Sequence, residues 1–179
     1  MDVIIETDRL LLRKFTEGDA PVLYELNLDL EVIRYTHDPI TDVEHARKIL
    51  NDVILPQYVL YGHGRWAVHL RSNLEFTGWC GLKYLPETNE VDLGYRFMKK
   101  FWGNGYATEA ALACIEYGFS NLDLHQVVGR ALPGNIASIK VLEKCGMKYL
   151  REEVMHGYLH KTYQVSNPAI KLWGHLKRN

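Results

Sequence analysis

At 179 residues the chain is long enough to bury a full core without disulfide or metal staples, and short enough to form a single domain over residues 1–179. Its 21 lysines and arginines balance 22 aspartates and glutamates, a net charge of −1 with no long block of one sign, which argues against a protein built for nucleic acid or for an anionic membrane. Cys80, Cys114 and Cys145 are odd in number and set among apolar neighbours, and the opening Met1-Asp2-Val3-Ile4-Ile5-Glu6 is acidic where a secretory leader carries lysines; both point to buried thiols in a reducing, cytoplasmic setting.

Ile4–Lys14 reads as an opening strand, and Glu17-Gly18-Asp19 begins a helical pattern that runs through Leu30. A second helical stretch fits Asp42–Ile54, with Thr41 or Asp42 as N-cap and Pro56 just beyond its end. From Arg65 the period changes to two: Trp66–Leu70, Thr77–Tyr84 and Glu90–Met98 read as a meander of three strands separated by short polar turns. A helix over Tyr106–Phe119, a strand over Gln126–Ala131, a helix over Ile136–Lys144 closed by Gly146, and a hairpin of Lys148–Met155 with Lys161–Val165 complete the pattern. The order implies an α/β fold with a mixed, mostly antiparallel sheet and helices on its faces. The basic, amphipathic stretch from Ala169 to Arg178, within a tail over 168–179, is expected to pack or to fray. His156 and His160, the nearest histidine pair, flank Gly157-Tyr158-Leu159 in a strand-and-turn segment, so no metal site is expected.

Two stretches carry the functional signal. In Phe101-Trp102-Gly103-Asn104-Gly105-Tyr106-Ala107-Thr108-Glu109-Ala110 a Gly-x-Gly turn ends a strand and opens an alanine-rich helix. Such a turn is either a tight connection or an anion cradle, since it leaves the N–H groups of Gly105, Tyr106, Ala107 and Thr108 at the positive end of the helix dipole. It lacks the Walker lysine and the three-glycine dinucleotide spacing. Asn135, ahead of Ile136-Ala137-Ser138, reads as a helix N-cap, and Ser138 in that first turn has a hydroxyl able to reach a ligand crossing the helix start.

With Thr7-Asp8-Arg9-Leu10-Leu11-Leu12-Arg13 and Asp92-Leu93-Gly94-Tyr95, these stretches resemble the GNAT acyl-CoA N-acyltransferases, and more closely their RimJ/RimL-like branch, over nearly the whole chain. The resemblance implies a single GNAT-like domain with a splayed central strand pair and acetyl-CoA as cosubstrate. The diphosphate would lie on Gly103, Asn104, Gly105, Tyr106, Ala107 and Thr108. The pantetheine arm would pair with main-chain groups near Phe97 and Met98, with Asn135 on its other side. Trp102 stands where the family usually has Gln or Arg, which leaves the phosphate contacts to the backbone. Leu142 stands where many members carry a tyrosine acid, and Ser138 is the residue thought to take over in this branch.

Acetyl transfer also requires a neutral amine, and an amine with a pKa of about 10.4 is neutral in only about one molecule in a few thousand at pH 7. Glu90 and Asp92, two apart on one strand face, are candidates to relay its proton through water, with solvated strand carboxylates as the plain alternative. Cys145, at an apolar helix end with no histidine partner nearby in sequence, is not expected to act as a nucleophile. Tyr35-Thr36-His37-Asp38 and Tyr58–Trp66 are candidates for the acceptor side, and Tyr61-Gly62-His63-Gly64 reads as a gate or a plain connection. The expected activity is N-acetylation of a primary amine, either a protein N-terminal α-amine or a small molecule, by a monomer or homodimer. A non-catalytic acyl-CoA sensing domain is the alternative.

Overall fold

In the computed structural model, which describes residues 2–168, the opening strand is broken in two. Strands β1 (Val3–Glu6) and β2 (Leu10–Arg13) form an antiparallel hairpin. The Thr7 hydroxyl accepts from Leu10 N at 2.9 Å while Thr7 N donates to Leu10 O at 2.9 Å, so a short polar side chain closes the turn. Arg13 at the end of β2 grips Asp19 through both terminal nitrogens, at 2.8 and 2.7 Å, and fixes the entry to α1 (Ala20–Leu26). This helix stops short of Leu30: Asn27 turns its amide back onto Leu23 O at 2.7 Å and offers its oxygen to Arg96.

The next helix runs past the expected end. Asp42 caps α2 (Val43–Ile49) by accepting from His45 N at 2.7 Å, and a wider π turn over Leu50–Ile54 leads directly into α3 (Leu55–Tyr61). Pro56 is therefore the second residue of a further helical segment and not the stop beyond a helix end. The Tyr61–Gly64 segment, read as a gate or a plain connection, is tied to the sheet: Gly62 ends α3 at φ +74°, His63 is buried with Nδ1 2.8 Å from Leu82 O, and Gly64 O accepts from Leu82 N at 3.0 Å.

Strands β3 (Arg65–Leu70), β4 (Phe76–Leu85) and β5 (Glu90–Phe97) form the meander, followed by α4 (Tyr106–Asn121), β6 (Gln126–Ala131) and α5 (Ile136–Lys144). A terminal hairpin, β7 (Lys148–Met155) and β8 (Tyr158–Ser166), has a longer second strand than the sequence suggests. The eight strands form one sheet in the order β1-β2-β3-β4-β5-β6-β8-β7, antiparallel except where β5 meets β6.

Strand alternation sends side chains to two cores. Trp66, Val68, Cys80, Leu82 and Leu93 pack with Ala111 and Cys114 of α4 and with Ile139 and Leu142 of α5. Ala67 and Phe76 face the other way, onto Leu23 and Leu26 of α1 and Ala46 of α2. All three thiols are buried, and burial pushes Cys145 up to about 12, which leaves it un-ionised and a poor nucleophile. Among the described residues no helix is long and apolar enough to cross a membrane.

Candidate active site

The parallel pair β5/β6 is in register at only two positions, Asp92 with Val128 and Leu93 with Gly129. Beyond Leu93 the pairing ends, so Gly94, Tyr95, Arg96 and Phe97 border a gap in the middle of the sheet. Leu93, Tyr95 and Phe97 belong to the core under α4 and α5, whereas Glu90, Asp92, Gly94 and Arg96 project from the opposite face.

At the end of β5 the chain is tied down before it turns. Met98 N donates to Thr77 O at 2.8 Å, Met98 O accepts from Phe101 N at 2.9 Å, and the Trp102 indole donates to Phe97 O at 2.7 Å. Trp102 thus anchors the loop to the strand. Gly103 and Gly105 both have left-handed backbone, at φ +78° and +80°, which side-chain-bearing residues rarely adopt. Asn104 folds its amide back onto Phe101 O and Trp102 O, each at 3.1 Å. The 16-residue helix α4 that follows has no side-chain cap. Its first-turn N–H groups, from Tyr106, Ala107 and Thr108, open onto the glycine loop, and a Cβ built on Gly103 would meet nothing within 4 Å.

Asn135 does cap α5, its Oδ1 accepting from Ser138 N at 3.2 Å, which leaves the amide nitrogen as a donor at the helix start. Ser138, half-buried in the first turn, meets Tyr95 from β5 across the core: the phenol oxygen lies 3.0 Å from Ser138 Oγ and 2.9 Å from Ser138 O.

On the opposite face Glu90 and Asp92 are not solvated. Asp92 Oδ2 pairs with Arg65 at 2.6 Å and Oδ1 with Arg130 at 3.2 Å. Glu90 pairs with Arg130 and, at 2.9 Å, with Arg151. The Arg130 side chain is only 7% exposed and also binds Glu153 at 2.7 Å. The Arg65 guanidinium lies flat on Gly94, where a Cβ would come within 2.6 Å of it.

Residues 9–148 match the acetyltransferase (GNAT) domain family. The chain belongs to the GNAT acetyltransferases. It is 32% identical over 157 residues to an uncharacterised N-acetyltransferase, p20, of Bacillus licheniformis, with 85% of each chain covered. A GNAT-family acetyltransferase from Bacillus anthracis superposes with a TM-score of 0.78 at 28% identity, over 91% of this chain and 98% of that one. RimL, the ribosomal L7/L12 α-N-protein acetyltransferase solved with coenzyme A, superposes with a TM-score of 0.80 at 20% identity, over 94% and 99% of the two chains. That likeness is one of fold.

GNAT enzymes take their acetyl group from acetyl-CoA, and several residues that shape the site of this GNAT chain lie outside the glycine loop. Arg9, from the β1–β2 turn, donates to Asn104 O at 3.0 Å and to Glu109 Oε2 at 2.7 Å, and stacks over Tyr106 at 4.6 Å from the ring centre. Thr7 adds a 2.6 Å bond to Glu109. The Thr7–Arg13 motif therefore clasps the loop from a distance of about a hundred residues in sequence. Trp79 lies between two guanidiniums, 5.4 Å from Arg65 and 5.5 Å from Arg96, beneath the opening on the Asp92 face. Of the acceptor-side candidates, Asp38 pairs with Arg96 at 2.8 Å and His37 stacks on Tyr158 at 3.8 Å, so the 35–38 segment does cover that face. Trp66 does not line it; it is buried in the α4 core against Tyr117. Tyr58 is likewise structural, with its hydroxyl bridging Phe15 N and Arg65 O. A separate cavity of about 380 Å³, lined by Tyr61, His63, Tyr84 and His125, lies at the other end of β5, before the paired positions.

The carboxylate network makes stability pH-dependent. Burial by itself raises the Glu153 carboxyl, but the Thr162 hydroxyl at 2.5 Å and the Arg130 and Arg151 guanidiniums outweigh it and hold the group at about 2, against an ordinary 4.5. A depressed carboxyl stabilises the fold above its unfolded pKa and ceases to do so as the pH falls through the folded one. Glu153 stabilisation should thus be complete above about pH 4.5 and vanish toward pH 2. Urea midpoints measured from pH 6 to pH 2 should fall more steeply for the wild type than for Glu153→Gln, which starts less stable and converges with it at the acid end.

Proposed function

We propose that this chain transfers the acetyl group of acetyl-CoA to a primary amine by direct attack in a ternary complex. In this reading the diphosphate rests on Gly103–Thr108. The pantetheine arm passes through the β5/β6 gap beside Phe97 and Met98, where Phe97 O and both Met98 main-chain groups also have protein partners. It receives a hydrogen bond from the Asn135 amide, and the thioester lies next to Ser138. The observation that carries the reading is the placement of an uncapped helix start and of Ser138 at the same side of a gap that opens after Leu93.

The gap separates two chemical tasks. The amine approaches from the Asp92 face and its nitrogen attacks the thioester carbon. As the C–S bond breaks with its electron pair going to sulfur, Ser138 on the other face supplies the proton. A thiol with a pKa near that of free cysteine, about 8.5, leaves readily, so the acid contributes modestly.

Asp92, one residue before the strand pairing ends at Leu93, is the proposed water-mediated proton relay. Glu90 is farther from the gap. Although burial raises it, Arg151 and Arg130 hold its carboxyl below the ordinary range, so it acts mainly to anchor Arg130. With Glu90 so held and both Asp92 oxygens engaged by guanidiniums, the site favours an acceptor already partly neutral. An α-amine with a pKa of about 8 is neutral in roughly one molecule in ten at pH 7, some hundreds of times more than a lysine-like amine. The α-amine of a protein or peptide is therefore the proposed acceptor class, in line with the protein α-amine activity in RimL's name.

Ser138→Ala should lower kcat about tenfold to a hundredfold while leaving acetyl-CoA affinity within about twofold, because the Asn135 cap uses Ser138 N and not its hydroxyl. Turnover kinetics with calorimetric binding of acetyl-CoA measures both; an unchanged kcat would remove Ser138 from the mechanism.

A further inference from the structure

The position seven residues after Asn135, where many GNAT members have a tyrosine, is Leu142, buried in the core with no polar group to offer. A phenol nonetheless reaches the first turn of α5 from a different element. Tyr95 extends from β5, inside the unpaired stretch after Leu93, and brings its oxygen to 3.0 Å from Ser138 Oγ and 2.9 Å from Ser138 O. One hydroxyl hydrogen cannot serve both acceptors. Donated to Ser138 O, it leaves the phenol oxygen to receive the serine proton, which then points into the core. Donated to Ser138 Oγ, it leaves the serine O–H free to point into the gap.

We propose that Tyr95 is a positioning residue for acetyl transfer, donating to Ser138 Oγ so that the serine proton is aimed at the departing sulfur. The proposal rests on the acetyltransferase reading above. In the step, the C–S bond breaks with its electron pair to sulfur and Ser138 Oγ–H protonates that sulfur. The serine oxygen is reprotonated by the ammonium hydrogen of the newly formed C–N adduct. Tyr95 keeps its own proton throughout, as its surroundings require: burial pushes the phenol well above its ordinary value, and the Ser138 bond offsets this only in part. The phenol thus orients the serine hydroxyl from a residue that touches neither the acetyl group nor the amine.

Tyr95→Phe keeps the ring in place and removes only the oxygen, so the fold is expected to survive, as a thermal melt checks. The test is a double-mutant cycle on kcat with acetyl-CoA and an N-terminal peptide acceptor. Tyr95→Phe alone should lower kcat about fivefold to tenfold, the effect of one hydrogen bond, with the KM for acetyl-CoA unchanged. In the Ser138→Ala background the same change should have no further effect, within about twofold. Losses that multiply, a Tyr95→Phe variant with full kcat, or a raised KM as the sole change would overturn the proposal. A Ser138→Ala enzyme with full kcat would instead overturn the parent reading of Ser138, and with it any role for Tyr95 through that residue.

Discussion

Arg130→Met is expected to destabilise the protein by about 3 kcal/mol or more, the range seen when one partner of a buried ion pair is removed and the other is left uncompensated. Arg130 serves Glu90, Asp92 and Glu153 at once from a side chain that is 7% exposed, and these carboxylates are themselves only 11%, 14% and 19% exposed. Methionine fills similar volume, so the loss would be one of charge and not of packing. Arg65 and Arg151 remain to hold part of the network, which keeps the fold intact while lowering its melting temperature by about 10 °C for a domain of this size. The deficit should shrink as pH falls below about 4, because protonated carboxyls no longer need the guanidinium. A melt of the variant within a degree of the wild type at pH 7 would show that the network contributes nothing net.

Gly105→Val is expected to weaken acetyl-CoA binding by about tenfold to a hundredfold. At φ +80° a β-branched residue is strongly disfavoured, and relieving that strain rotates the backbone that carries the first N–H groups of α4. Space is not the obstacle, since a Cβ there comes only to within 3.6 Å of Arg9. The loss should therefore be specific to ligands with a diphosphate. Calorimetry with acetyl-CoA and with an S-acetyl pantetheine fragment separates the cases: equal losses for both would place the defect elsewhere than at the cradle.

Much of this site was legible because the relevant signals are local. Gly103 and Gly105 announce a turn that needs left-handed backbone, Asn135 announces a cap, and period-two alternation from Arg65 onward announces the meander; each was found where the residues placed it. The departures come from interactions between residues distant in sequence. The one basic residue on the same strand face as Glu90 and Asp92, Arg96, pairs with Asp38 instead, while Arg130 and Arg151 arrive from 38 to 61 residues away. The clasp of Arg9 on Glu109 spans 100 residues. Pro56 reads as a helix stop unless a π turn lies just before it, and nothing local in Leu50–Ile54 distinguishes such a turn. Tyr95 looks like one more core-facing strand residue until α5 is packed against it and Ser138 comes within 3.0 Å.

The central claim is that the gap in the sheet is a place where acetyl-CoA meets an amine. It is tested most directly by following thiol release from acetyl-CoA with the full chain over a panel of N-terminal peptides, free α-amino compounds and lysine-like amines. Turnover is expected, fastest with α-amines near neutral pH and reduced in Ser138→Ala. Tight acetyl-CoA binding without thiol release on any acceptor would contradict it and favour a non-catalytic acyl-CoA sensing domain, and failure to bind coenzyme A at all would contradict both.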